Sequence, residues 1–201
     1  MKKLLIATRS KGKFPEIVKK LEGLDFELLN LNDLEDLPKD FEVEEPGMTF
    51  EGNALIKAIT LATKTGLLTL ADDSGLEIDA LDGRPGVYSA RYAEGSDADR
   101  YNKILEEMKG VQVENRTARF KTVIAICDPE TMKIRTCEGS MEGRITEEPK
   151  GENGFGYDPI FFVNEKGKNS AELTLEEKNE VSHRGNALEK AREILVTSFQ
   201  I

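Results

Sequence analysis

Hydrophobic positions at Phe14, Ile17, Val18 and Leu21 recur at i, i+3, i+4 and i+7, which predicts an amphipathic helix. Pro15 fits only the first turn of that helix, so the helix should begin near residues 11–12. A second helix is predicted behind the capping residue Thr49, with Phe50, Ala54, Leu55, Ala58, Ile59 and Ala62 inward and Gly66 as its stop. Ser96 and Asp99 have the spacing of a capping box, followed by the stripe Tyr101, Ile104, Leu105 and Met108 before Gly110. Ser182 is the expected cap of a last helix carrying Ala187, Leu188, Ala191, Ile194 and Leu195. Between these lie runs with strand character at 3–8, 27–31, 67–71, 76–80, 116–128, 132–140 and 160–163. The stretch 32–46 is crowded with carboxylates and reads as a solvated loop with a short strand near 41–43. The first half alternates strand and helix, which favours parallel pairing, while the 116–140 pair reads as a long hairpin joined through Asp128-Pro129. The expected fold is therefore α/β, built on a mixed sheet.

Composition narrows the function. The 201 residues carry 28 Lys and Arg against 38 Asp and Glu, a net charge of −10. A duplex-binding surface needs a basic face, so no nucleic-acid partner is expected. A small anionic substrate stays open, because a local basic pocket can sit in an acidic protein. No run approaches a membrane span, and the apolar part of the first strand is too short for a signal core, so the expectation is a cytoplasmic protein without a membrane partner. The two cysteines, Cys127 and Cys137, flank one turn and are expected to be reduced thiols.

Five segments offer chemistry. The turn Thr8-Arg9-Ser10-Lys11-Gly12-Lys13 runs into a helix, whose N-terminus offers N–H groups and a positive dipole to an anion. Its hydroxyls and cations suit phosphate, although a solvated helix start has the same look. Asp72-Asp73-Ser74-Gly75 follows a strand, and Gly75 permits a sharp turn. If the backbone instead stays extended, the two carboxylates face opposite sides, one for a metal and one for a proton. Glu44 and Glu45 precede a helix start and either complete a metal site or favour the helix dipole. Gly154-Phe155-Gly156-Tyr157-Asp158 puts an aromatic between glycines, fit for stacking on a base or for covering the core. Finally, Lys178, His183 and Arg184 bring positive groups to a helix start, where an anion or carbonyl oxygen would be welcome. His183 is the only histidine, so neither a His-based zinc site nor a Ser-His-Asp triad is available elsewhere.

Taken together in this order and spacing, these segments resemble the inosine triphosphate pyrophosphatase family. The likeness runs from Thr8 to about Ala187. It includes Thr8–Lys13 with Glu16, Glu45-x-Gly47-x-Thr49-Phe50 with Asn53-Ala54, and Ala71-Asp72-Asp73-Ser74-Gly75-Leu76. Pro85-Gly86-Val87-Tyr88-Ser89-Ala90-Arg91-Tyr92, Gly154–Pro159 and Ser182-His183-Arg184 complete it. One departure is Ser10, where the family usually has Asn.

The resemblance implies one domain of two lobes over residues 1–201, around a long twisted mixed sheet, with the substrate in a cleft and usually a homodimer. It implies hydrolysis of ITP, dITP and XTP to monophosphate and pyrophosphate with Mg²⁺. On this chain, Thr8, Arg9, Ser10, Lys11, Gly12 and Lys13 would hold the triphosphate, and Ser74 would touch substrate. Asp73 would be the metal-linked proton acceptor, supported by Asp72, and Glu44 or Glu45 would complete the metal site. Phe155 in its turn with Gly156 and Tyr157 would stack on the base, while Asp158, Lys178, His183 and Arg184 would read base edge and phosphates. The competing expectations are a pyrimidine nucleotide pyrophosphatase on a related scaffold and a nucleotide sensor without catalysis.

Overall fold

Leu4, Leu5 and Ile6 have almost no exposed surface, so the first strand, β1 (Lys2–Ile6), is covered on both faces. That continuous apolar run is what a central parallel strand requires. β1 pairs in parallel with β2 (Phe26–Asn30) on one side and with β3 (Leu68–Ile78) on the other. The computed structural model describes every residue except Lys11, Gln200 and Ile201.

The seven-stranded sheet has the order β2-β1-β3-β4-β5-β6-β7, where β4 is Thr117–Cys127, β5 Ile134–Ile145, β6 Phe161–Val163 and β7 Lys168–Asn169. The connection from β4 to β5 is too short for a parallel crossover, which makes that pair a hairpin. β5, β6 and β7 pair antiparallel, with Gly143 opposite Val163. A Cβ on Gly143 would stand 2.3 Å from the Phe162 carbonyl oxygen, so only glycine fits there.

The helices follow the expected caps. α1 (Lys13–Leu21) has Gly12 as N-cap and holds Pro15 in its first turn. In α2 (Phe50–Thr65), Thr49 Oγ1 accepts from Gly52 N–H, and Gly66 at φ +69° closes the end. Ser96 and Asp99 form the reciprocal box at the start of α3 (Asp97–Glu107). α4 (Leu175–Val181) was not signalled by periodicity, having seven residues and few apolar ones, but Thr174 and Glu177 box its start. α5 (His183–Ile194) is capped by Ser182, whose Oγ accepts from Gly185 N–H at 2.9 Å.

Three expectations change. The runs at 67–71 and 76–80 are one continuous strand, β3, so Asp72 to Gly75 form no turn. Partners outside the strand stabilise this course, as the site shows below. Residues 41–43 form no strand. Phe41 instead lies under the Lys64 ammonium, 4.9 Å from the ring centroid, so its apolar character serves packing rather than a ladder. The second hairpin strand starts later and runs further than 132–140, because Met132 takes φ +54° in the connecting turn.

The chain divides into two compact units. The first comprises 1–73, 122–138 and 187–201, and its core gathers Leu4, Ile6, Ile17, Leu21, Leu70, Ile126 and Leu188 among others. The second comprises 74–121 and 139–186, with Leu76, Ile78, Ile104, Met108, Phe120, Ile160 and Phe161 inside. In the second unit, buried Arg116 donates to the carbonyls of Met108, Ile145 and Thr146 and so ties α3 to the end of β5. Both cysteines are free thiols, as expected, and burial pushes the Cys137 thiol up to about 11, well away from reactivity. Among the described residues, no helix is long and apolar enough to cross a membrane.

Candidate active site

In the first unit, an extended strand separates two neighbouring carboxylates. Asp72 is buried and accepts from Lys13 Nζ at 2.8 Å. Asp73, on the opposite face of β3, is half-buried and accepts from Asn53 Nδ2 at 3.0 Å. The division of faces is the alternative that the sequence left open.

The turn before α1 is held by its own hydroxyls. Thr8 Oγ1 accepts from Ser10 N–H at 3.1 Å, and Ser10 Oγ accepts from Lys13 N–H at 3.3 Å. Each hydroxyl also carries an O–H that can donate to a ligand, beside the positive end of α1. Gly12 is exposed there. Arg9 points elsewhere: its guanidinium donates to Asn32 Oδ1 and to the Pro38 carbonyl, both at 2.9 Å. These two bonds tether the acidic loop. Lys11, also expected at the phosphates, lies outside the described residues.

Glu44 and Glu45 are separated by the alternation of the loop. Glu44 is exposed, whereas Glu45 is half-buried and pairs with Lys57 Nζ at 2.8 Å. Lys57 also donates to the Asp72 carbonyl oxygen at 2.9 Å. Burial works against the Lys57 charge, but Asp72, Glu45 and then Asp73 outweigh it and hold its pKa above the ordinary lysine value. Two ammoniums, Lys13 on Asp72 and Lys57 on Glu45, thus stand among three carboxylates, Asp72, Asp73 and Glu45. A cavity of about 300 Å³ adjoins it, lined by Thr8, Arg9, Phe41, Val43, Glu45 and Lys57 among others.

This donor set suits a hard divalent cation. Glu45 and Asp73 offer carboxylate oxygens, and the cluster already draws one cation, Lys57, into its field. Among the described residues, no group of three or more His, Cys, Asp or Glu is arranged to hold a metal. Mg²⁺ commonly takes only one or two carboxylates and completes its shell with water and substrate phosphate, so the set is compatible with it.

In the second unit, Phe155 is 41% exposed on a turn between Gly154 at φ +78° and Gly156 at φ +64°. Lys178 Nζ lies 5.0 Å and Arg184 Cζ 5.9 Å from its ring centroid. Asp158, buried with Lys178, accepts from Lys178 Nζ at 2.6 Å, from Phe155 N–H at 2.9 Å and from Ser170 Oγ at 2.7 Å. A Cβ on Gly154 would meet Asp158 Oδ2 at 2.1 Å, so glycine lets the carboxylate reach into the turn. Asp158 was expected to read a base edge, but its two oxygens lock the turn that presents Phe155. Tyr157 is a core residue whose hydroxyl donates to the Ser89 carbonyl at 2.7 Å.

His183 and Arg184 are both buried at the start of α5. The His183 ring stacks on Phe120 at 4.9 Å, and Arg184 Nη2 stands 3.5 Å from Ser74 Oγ. Phe155→Ala is expected to keep the fold and raise KM about 5- to 150-fold, as loss of ~1–3 kcal/mol of base stacking would do. Substrate titration beside a thermal melt checks this, and an unfolded variant would make Phe155 a core cover instead.

Sequence reasoning missed Lys57, Asp97 and Ser170. Lys57 is four residues past Asn53 on α2, and a polar pair on an apolar helix face was the available signal. Asp97 accepts from Gly156 N–H at 2.6 Å and pairs with Arg100. Burial opposes its ionisation, but the Gly156 N–H and Arg100 prevail and hold its carboxyl below the usual range. Nothing in the local sequence ties Asp97 or Ser170 to a turn so distant in the chain.

A mixed α/β sheet thus carries paired carboxylates against lysines, with a helix N-terminus beside them. The chain belongs to the Ham1 family, whose model matches residues 4–194. It is 55% identical over 190 residues to the dITP/XTP pyrophosphatase of Geobacter sulfurreducens, covering 94% of each chain. It is 48% identical over 197 residues to the dITP/XTP pyrophosphatase of Bacillus subtilis, covering 97% of this chain and 98% of that one. Among solved structures it resembles a HAM1 protein from Coxiella burnetii, with TM-score 0.89, 41% identity and coverage of 98% and 100%. It likewise resembles the Staphylococcus aureus Ham1 protein, with TM-score 0.86, 38% identity and coverage of 97% and 98%.

Proposed function

We propose that this protein hydrolyses dITP, ITP and XTP to the nucleoside monophosphate and pyrophosphate. The observation that carries the reading is the unbroken strand β3, which neutralises Asp72 against Lys13 and sends Asp73 to the other face. One carboxylate is thereby spent on anchoring a cation, and its neighbour is kept for chemistry. The names of the relatives reported above supply the substrate class.

In this reading the triphosphate is bound by the hydroxyls of Thr8 and Ser10, the N-terminus of α1 and the Lys13 and Lys57 ammoniums. Glu45 and Asp73 would hold Mg²⁺, which when bound neutralises phosphate charge and makes nearby water more acidic. Asp73 accepts the proton of the attacking water. A free carboxyl with a pKa near ~3.9 is a weak base for bulk water, so the greater acidity of water near a bound ion would have to supply the rest. Phe155 stacks on the purine. Arg184 and His183 supply donors that match a 6-oxo group, and an adenine amino group facing them would leave a donor mispaired at ~1–3 kcal/mol. The reading places the protein in the cytoplasm as a homodimer, in keeping with the family resemblance.

The test is a panel of dITP, ITP, XTP, GTP, ATP, UTP and dTTP with Mg²⁺, assayed separately for pyrophosphate and orthophosphate. Pyrophosphate from the first three, with little from ATP or GTP, is the expected result. Pyrophosphate mainly from UTP or dTTP would replace the substrate class. Orthophosphate alone would move the cleaved bond, and tight binding without product would make the protein a sensor.

A further inference from the structure

Asn53 carries no role in the reaction as described so far, yet its placement is unusual. It is 1% exposed and sits in the first turn of α2, where its backbone N–H donates to the Thr49 carbonyl at 3.1 Å. Both ends of its amide are engaged. Oδ1 accepts from Gly47 N–H at 2.7 Å, and Nδ2 donates to Asp73 Oδ2 at 3.0 Å. Only one orientation of the amide satisfies both contacts. The reverse would set NH₂ against N–H and oxygen against a carboxylate, and so close to full burial no water could repair it.

We propose that Asn53 is a positioning residue that couples the Glu44–Gly47 segment to the Asp73 carboxylate, fixing both against the rigid start of α2. The proposal rests on the pyrophosphatase reading only for the consequence, which is catalysis. Gly47 follows Glu45 by two residues, so holding its N–H holds the approach of the Glu45 side chain. The bond to Oδ2 fixes the plane of the Asp73 carboxylate. Two oxygen donors for one cation come from different segments, and their separation must be set within a fraction of an ångström for a small hard ion. Gly47 itself belongs to the device. A Cβ there would stand 2.4 Å from Asn53 Oδ1 and 3.1 Å from Asn53 Cγ, so any other residue pushes the amide off its partners.

That clash supplies a test with its own control. Gly47→Ala, Asn53→Ala and the double variant are compared with the parent by thermal melting, by kcat and KM for dITP, and by Mn²⁺ affinity from electron paramagnetic resonance without nucleotide. Each single change is expected to lower kcat and Mn²⁺ affinity about 10- to 100-fold, the usual consequence of losing a partner that orients a metal ligand. KM should stay within about threefold, because no substrate contact is removed. In the Asn53→Ala background Gly47→Ala should cost much less than it does alone, since the obstructing oxygen is gone and only the tight approach to the residue-53 backbone nitrogen, at 3.1 Å, remains. Independent, multiplying losses would overturn the coupling, as would an Asn53→Ala protein with parental kcat and Mn²⁺ affinity. Should Asn53→Ala not fold, Asn53→Asp decides. It keeps the acceptor for Gly47 but sets a like charge against Asp73, so kcat should fall, and an unchanged kcat would overturn the proposal. A parent that releases no pyrophosphate from dITP would sink the pyrophosphatase reading alone, because the Mn²⁺ affinities would still decide the coupling.

Discussion

Asp73→Asn is expected to leave the fold and the melting temperature almost unchanged while lowering kcat for dITP by roughly a thousandfold or more. A positioned general base is worth about 10²–10⁴ in rate, and the same side chain is proposed to help hold the ion. The fold should survive because the substituted amide still offers an oxygen to Asn53 Nδ2, and Asp73 lies half-buried rather than in a core. Asp72→Asn gives the contrast. It would leave the Lys13 ammonium facing a neutral amide, so it should weaken substrate binding and stability before it touches the chemical step. Pyrophosphate release at saturating dITP, measured with a melt on the same sample, checks both. A kcat within tenfold of the parent for Asp73→Asn would remove Asp73 from the role of base.

Asp158→Ala should be the most destabilising single change in the second unit. Its side chain and that of Lys178 are 4% and 7% exposed, so the pair is desolvated and tightly bonded. Removing one partner of such a pair costs about 3–5 kcal/mol, because a charge is left buried without compensation. At ~2–4 °C per kcal/mol for a chain of this size, the melting temperature should fall by on the order of 10 °C. Two further bonds go with it, from Phe155 N–H and Ser170 Oγ. The Phe155 turn therefore loosens as well, and KM for dITP should rise in whatever fraction stays folded. Asp158→Asn keeps one oxygen, which can still accept from Phe155 N–H, and turns an NH₂ toward Ser170 Oγ, which can accept in its turn, so it should be milder. A melting temperature within about 2 °C of the parent for Asp158→Ala would mean that the pair contributes little.

Helices were the most legible part of this fold. The stripe Phe14, Ile17, Val18, Leu21 and the caps Thr49, Ser96 and Ser182 encode local geometry, and local geometry needs no tertiary partner to be recognised. The strand through Asp72 was read less well. Asp-Asp-Ser-Gly is turn vocabulary, and what keeps it extended is a lysine from α1, an amide from α2 and a backbone bond from Lys57. No window around residue 72 contains those partners. The same reason hid Lys57, since a lysine on a helix ordinarily faces water and only the carboxylates around it give it a different task. The partners of Arg9 were equally hidden. Its charge beside Thr8 suggested a phosphate, while its actual partners, Asn32 and the Pro38 carbonyl, lie on a loop whose path the sequence leaves unspecified. Residue type is local and can be read from the chain, whereas a residue's partners depend on what the fold brings near.

The unbroken course of β3 also limits how this gene product can change in length. Along a strand, side chains obey a parity rule, so one residue gained or lost between Asp73 and Leu76 would exchange the two faces from that point on. Leu76 and Ile78, now without exposed surface, would turn outward, and Glu77 would turn into the core. A change of two residues would restore parity but shift every pairing along the ladder. The acidic connection at 32–46 is under no such rule, having no strand partner to keep in step. Variation in length should therefore collect there and be absent from 68–78, where the chain behaves as a ruler that is read one residue at a time.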